Sequence, residues 1–197
     1  MNIQIFGEWE LRDHIKKGHP VYSHCISIRN STKESNRQPF PLADEIQNGF
    51  VDILHLEFHD LEKKEHLPKE FKGTRIPALR DVKRAYRFYK KAIKSPHFTG
   101  FTVHCWRGVS RSSAIALGLA YLMTRDEKQA ADLITQVRKE AAPLPRIVRF
   151  WDKVLKTNLI HQSDIIREKR NEELKKWFFN EIDNGDALLE ELEVVND

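Results

Sequence analysis

Short apolar stretches of two kinds alternate along this chain. Residues 2 to 6 (NIQIF), 21 to 28 (VYSHCISI), 51 to 58 (VDILHLEF) and the run Phe101 to Val103 carry β-branched or alternating apolar positions and read as four strands. Between and after them the spacing is helical. Glu8 to Lys17 places Leu11 and Ile15 four apart, with Trp9 nearby, and Gly18-His19-Pro20 ends that helix. Residues 78 to 94 put Leu79, Val82, Tyr86, Tyr89 and Ile93 on one stripe, against a wet face of Arg80, Lys83, Arg84, Arg87, Lys90 and Lys91. The segment after Arg111, SSAIALGLAYLMT, is apolar almost all round, which predicts a buried helix. Asp126 to Lys139 is amphipathic, and Pro143 and Pro145 separate it from a stripe of Ile147, Val148, Trp151, Val154 and Leu155.

Strands that alternate with helices predict an α/β fold: a central, mostly parallel sheet of about four strands flanked by helices. The polar, proline-bearing loop 29–41 follows a strand end, where open α/β sheets hold ligands, so Arg29 and Arg37 are candidates to touch one. A short helix from Leu42 to Gln47 is expected next. Residues 61 to 77, broken at Pro68, Gly73 and Pro77, read as a long basic loop of the kind that forms lids. Residues 1–156 account for one domain, and residues 157–197 read as a helical, acidic extension. Within that extension a charged helix is expected from Asp164 to Asn180, then a turn at Asn184-Gly185 and an acidic amphipathic end.

Composition narrows the class. A chain of 197 residues with 40% hydrophobic and 31% charged content suits one globular domain with a real core. No apolar run approaches the roughly 20 residues of a membrane span, and the first residues show no basic-then-apolar leader pattern. Two cysteines do not make a disulfide framework, and a reducing, cytoplasmic setting is expected. The net charge of +4 is unevenly spread. Leu61 to Lys94 has 12 Lys/Arg against 4 Asp/Glu, while Glu181 to Asp197 has 7 acidic residues and no basic one. Such runs are ordinarily solvated faces; a functional use would be steering of an acidic or phosphorylated partner.

The chemistry concentrates in FTVHCWRGVSRSS, residues 101 to 113. A strand ends at His104 and Cys105, a tight loop follows, and Arg111, Ser112 and Ser113 open the buried helix. A loop that feeds a helix N-terminus aims several N–H groups at one point, where the helix dipole adds positive charge, so Trp106, Arg107, Gly108, Val109, Ser110 and Arg111 form a candidate phosphate cradle. Gly108 lets it curl. Arg111 can fork onto two anion oxygens, as a lysine cannot. The same field favours a thiolate at Cys105, with His104 as its support, and a thiolate in a phosphate cradle is a nucleophile aimed at phosphorus. Ser112 is placed to donate to the sulfur and improve it as a leaving group. A merely structural cysteine, the reading adopted for Cys25, leaves the spacing of the other residues without a purpose.

HCWRGVSRS resembles the His-Cys-x5-Arg-Ser/Thr signature of the protein tyrosine phosphatase superfamily, and its Gly-x-Ser-Arg-Ser ending is most similar to the dual-specificity branch. APLPRIVRFWDKVL is similar to that branch's closing helix, so the resemblance spans roughly residues 2 to 156. It implies a phosphocysteine intermediate, no metal or other cofactor, and an aspartate general acid on the loop after the third strand. Asp60 is the residue so placed, with Asp81, Glu62 and Asp52 as rivals and His59 as its neighbour. Arg107 departs from the small residue common at that position, which makes the rim more basic.

The expected activity is hydrolysis of phosphate monoesters on protein, phosphotyrosine above all and also phosphoserine/threonine. The same chemistry would serve a phosphoinositide, an inositol polyphosphate or a nucleic-acid 5′ phosphate, although no stable nucleic-acid complex is expected. A phosphate-binding module without turnover, or a sulfurtransferase-like use of the cysteine, are the other classes considered. Oligomeric state is left open.

Overall fold

The computed structural model describes residues 2–30, 49–63, 65 and 75–194, with side chains to Trp177. Four strands form one sheet: β1 (Ile3–Gly7), β2 (His24–Arg29), β3 (Asp52–Glu57) and β4 (Phe101–Cys105). Their order is β1-β4-β2-β3, and every pairing is parallel. β4 therefore lies inside the sheet, and all five of its residues are buried. Among the described residues the helices are α1 (Glu8–Lys16), α2 (Leu79–Ala92), α3 (Arg111–Thr124), α4 (Glu127–Val137), α5 (Pro145–Leu155) and α6 (Leu159–Val194).

The two sheet faces follow the period-2 alternation of the strands. Ile3 and Ile5 of β1, Ile26 and Ile28 of β2, and Phe101 and Val103 of β4 join the large core beneath α2 to α6. Cys25, one residue out of phase with Ile26, faces the other side and packs with Leu11 of α1 and Phe50. Its thiol is fully buried, which raises its pKa far above the ordinary thiol range. Cys25 is a core residue, as the sequence suggested. Trp9, by contrast, is exposed.

α3 fills the centre of the large core; from Arg111 to Ala120 every residue is buried. It packs closely against α5 at Gly118, where an added Cβ would come within 2.1 Å of the buried Trp151 ring. The ring lies on the helix backbone itself, an approach only glycine permits.

Several expectations shift. The second strand begins at His24 rather than at Val21. The buried apolar stripe of α2 is Val82, Ala85, Phe88, Tyr89 and Ala92; Ile93, the residue that caps its end, is 46% exposed. All six basic residues expected on the wet face of α2 are exposed. The chain does not turn at Asn184-Gly185: α6 runs through it as one helix. A single glycine costs a helix interior only about 1 kcal/mol, which its neighbours can carry. The expected Leu42–Gln47 helix, Arg37 and most of the basic loop 61–77 lie outside the described residues.

Candidate active site

Parallel strands all point the same way, so Gly7, Arg29, Glu57 and Cys105 end at one edge of the sheet. The loop 106–110 joins β4 to α3 at that edge. Four of its carbonyls, those of Trp106, Arg107, Val109 and Ser110, are turned outward and occupied. The Trp106 carbonyl accepts from the Glu8 N–H at 3.1 Å, that of Arg107 from Arg138 Nη2 at 3.1 Å, and that of Val109 from the Ala142 N–H at 3.0 Å. The Ser110 carbonyl accepts from the N–H groups of Ala114 and Leu144 and from the Ser113 hydroxyl. In a planar trans peptide the N–H points opposite to the preceding C=O. The amides of Arg107, Gly108, Ser110 and Arg111 therefore face the inside of the loop, where an anion would sit.

Gly108 makes this curl possible. Its φ is +73°, and a Cβ there would lie 2.5 Å from Phe6 C and Gly7 N of the neighbouring strand. Both the left-handed backbone and the close approach exclude a side chain.

Cys105 is buried in the chain, lines the cleft above the loop, and has its Sγ 3.2 Å from Ser112 Oγ. Arg111 is only 3% exposed. Its Nη1 donates to Asn30 Oδ1 at 2.7 Å and to the Phe58 carbonyl at 2.9 Å, while its buried Nε has no hydrogen-bond partner among the described residues. A buried guanidinium with an unsatisfied donor is costly alone and is relieved by an anion. Asp60 stands at the same place. Its carboxylate accepts from the Ser110 hydroxyl at 2.6 Å and lies 4.0 Å from Arg111 Nε.

The rivals to Asp60 are elsewhere or engaged. Asp81 is 1% exposed, takes both oxygens to Arg75 Nη1 at 2.8 Å, and caps the start of α2 at the Ala78 N–H. Asp52 begins β3, at the opposite sheet edge, and pairs with Lys91. Glu62 does line the cleft, but its carboxylate faces Arg149 at 3.4 Å. His59 is buried beside Asp60 and also lines the cleft. Arg29 pairs with Glu57 across β2 and β3 rather than reaching into the cleft.

An all-parallel β1-β4-β2-β3 sheet with this loop at its edge can be compared with known folds. No family model and no curated protein matches the sequence. Solved structures do match. "Tk-PTP in the active form" aligns with a TM-score of 0.51 at 14% identity, over 79% of this chain and 92% of that one. DUSP15 aligns with a TM-score of 0.51 at 16% identity, over 85% and 91%. The chain shares the phosphatase-like fold of these two structures.

Within this phosphatase fold the cleft is large, about 1020 Å³. Among the described residues its cations are Lys63, Arg107, Arg111, Arg167 and Arg170, against the carboxylates of Asp60 and Glu62. The expectation of a basic rim at Arg107 agrees with this. His104, which precedes Cys105 on β4, is 3% exposed, with neither ring nitrogen hydrogen-bonded among the described residues. Burial, with His55 and Arg111 nearby, pushes its pKa down to about 3, so the ring is neutral in the folded state.

Four groups of residues at the site were not foreseen. Asn30 holds Arg111 and follows β2 at the ligand edge, a position the strand count alone makes a candidate. Glu10 accepts from the Gly7 N–H at 2.7 Å and pairs bidentately with Arg138, which in turn holds the Arg107 carbonyl. Burial of Glu10 opposes its ionisation, but Arg138 and the Gly7 amide outweigh it and hold the carboxyl below the usual range. Arg75 ties Asp81 to the Glu57 carbonyl at the end of β3, next to Asp60's loop. Arg167 and Arg170 come from α6, far beyond the loop in sequence.

Proposed function

We propose that this chain hydrolyses phosphate monoesters through a phosphocysteine intermediate. The observation that carries the reading is the convergence of Cys105 Sγ, the inward loop amides, the buried Arg111 and the Asp60 carboxylate on one cleft. Phosphate oxygens bind the amides and Arg111, which hold the charge as it spreads toward the transition state. The Cys105 thiolate attacks phosphorus in line as the P–O ester bond breaks, and Asp60 gives its proton to the leaving oxygen. Asp60, now a carboxylate, takes a proton from water as that water attacks phosphorus. The P–S bond breaks, phosphate departs, and Ser112 stabilises the returning thiolate. Trp106, Arg107, Gly108, Val109 and Ser110 supply the cradle, and His104, buried and neutral, supports the thiolate from the adjacent strand position.

A phosphate-binding module without turnover would be the better reading if no acid stood near the loop; the 2.6 Å contact between Asp60 and Ser110 weighs against it. Residues 1–156 carry this chemistry in our reading, and residues from 157 on extend it, helical over Leu159–Val194. Phosphotyrosine on protein and a polyphosphorylated small molecule share every step; the cationic mouth favours the second. Among the described residues no helix is long and apolar enough to cross a membrane.

Turnover of p-nitrophenyl phosphate by the full chain tests the proposal. Wild type is expected to turn over, and Cys105→Ser to fall to background while still binding phosphate or vanadate. Undiminished turnover by Cys105→Ser would overturn it.

A further inference from the structure

The cleft holds more positive charge than one phosphate uses. Arg111 and the loop amides serve the reacting group. Lys63, Arg107, Arg167 and Arg170 line the same cleft, and none of these four forms an ion pair among the described residues. A phosphomonoester brings a charge of only about −1.5 to −2, which the cradle already meets.

The two α6 arginines are held in place. They are three apart on the helix and so share a face. Ser163 and Ile166 of the same helix are buried, fixing this part of α6 to the body. Arg167 and Arg170 are half-buried beside them and line the cleft. Cations presented from a rigid element bind an anion at lower entropic cost than mobile surface charges. Two guanidinium forks are also the donors best suited to phosphate oxygens.

We propose that Arg167 and Arg170 form a second anion subsite, which grips a phosphate other than the one being hydrolysed, and that the substrate is a small polyol bearing several phosphates. This rests on the phosphatase reading above and assigns its substrate class. The four spare cations come from three separate elements and surround one cleft, which suits a compact polyanion more than an extended peptide or nucleic-acid strand. Trp106, 55% exposed at the same cleft, offers an apolar face to the C–H side of a polyol ring.

The test compares wild type with Arg167→Gln/Arg170→Gln, and with Lys175→Gln/Lys176→Gln on the exposed outer part of α6 as a control. Substrates are inositol 1,4,5-trisphosphate in solution, phosphatidylinositol 4,5-bisphosphate in phosphatidylcholine vesicles, p-nitrophenyl phosphate and a phosphotyrosine peptide. Loss of two charge-assisted contacts is expected to lower kcat/KM on the preferred polyol phosphate about 10–100-fold, mostly through KM. The loss on p-nitrophenyl phosphate should be at least ten-fold smaller. The vesicle and solution arms tell a lipid headgroup from a free polyol. Equal losses on all substrates, or a wild-type preference for the phosphotyrosine peptide, would overturn the proposal. Calorimetry of inositol hexakisphosphate on Cys105→Ser reads the subsite without turnover. There, affinity about 10–100-fold weaker on adding the two Arg changes supports it, and unchanged affinity overturns it. A wild-type chain inert toward all four substrates but binding in this Arg-dependent way would sink the enzyme reading alone.

Discussion

The Ser110 hydroxyl donates to the Asp60 carboxylate at 2.6 Å, joining residues fifty positions apart. Ser110 immediately precedes α3, so the element that shapes the anion cradle also holds the proposed acid at its rim. With Arg111 Nε 4.0 Å away, Asp60 is kept beside the place where a leaving oxygen would emerge.

Asp60→Asn should therefore hurt substrates unequally. A nitrophenolate leaves without much help, whereas an alkoxide needs the proton. The variant is expected to lose about 10²–10⁴-fold in kcat on an alkyl phosphate and clearly less on p-nitrophenyl phosphate. Steady-state rates across a series of leaving groups check this; a flat, equal loss would remove Asp60 from the acid role.

Ser112 contacts the sulfur at 3.2 Å and should matter most when the thiolate departs. Ser112→Ala is expected to slow breakdown of the intermediate more than its formation. Stopped-flow measurement should then show a burst of nitrophenol near one equivalent, followed by a steady rate about ten-fold or more below wild type, the cost of one hydrogen bond to a charged group. Without a burst, the second step is not where Ser112 acts.

Arg138 is a positioning residue: it grips the Arg107 carbonyl from outside and is itself held by Glu10. Arg138→Ala frees that carbonyl to turn inward, against the anion. Vanadate affinity is expected to drop about ten-fold, since one charge-assisted hydrogen bond is lost from the loop's frame. A thermal melt alongside separates this from unfolding: weak vanadate binding with an unmoved Tm supports it, and unchanged binding refutes it.

His104 makes a prediction about acid. Its folded-state pKa of about 3 lies below the ordinary value of 6.5, because burial disfavours the charged ring. Below pH 6.5 the unfolded chain takes up a proton there and the folded chain does not. Stability from this group is thus full above pH 6.5 and falls by about 1.4 kcal/mol per pH unit between 6.5 and 3. Urea titrations at pH 7.0, 5.5 and 4.5 should show His104→Gln losing less stability on acidification than wild type. Parallel losses would show that the ring is not the group responsible.

Much of this arrangement could be read from local pattern. Strand and helix periods differ, so the alternation of apolar runs was sufficient for an α/β sheet of four strands and for a buried α3. The cradle was legible because its parts lie within nine residues: Cys105, Gly108, Arg111 and Ser112 owe their geometry to one strand, one turn and one helix start. Asp60 was reachable only through the resemblance, since no local rule joins a strand end to a loop fifty residues on.

The remainder needed the folded chain. Backbone direction decided that the loop carbonyls face out, and that is set by partners from α1, Arg138 and the segment before α5. Asp81 looked like an acid in one dimension and proved to be a helix cap bound to Arg75. Arg167 and Arg170 sit in a charged stretch that reads as ordinary solvated helix, yet α6 turns them onto the cleft. Sequence determined which groups could do chemistry, because side-chain type and short spacing are local properties. Which distant groups meet them was decided by the sheet edge and the packing of α6, because convergence in space depends on the whole chain.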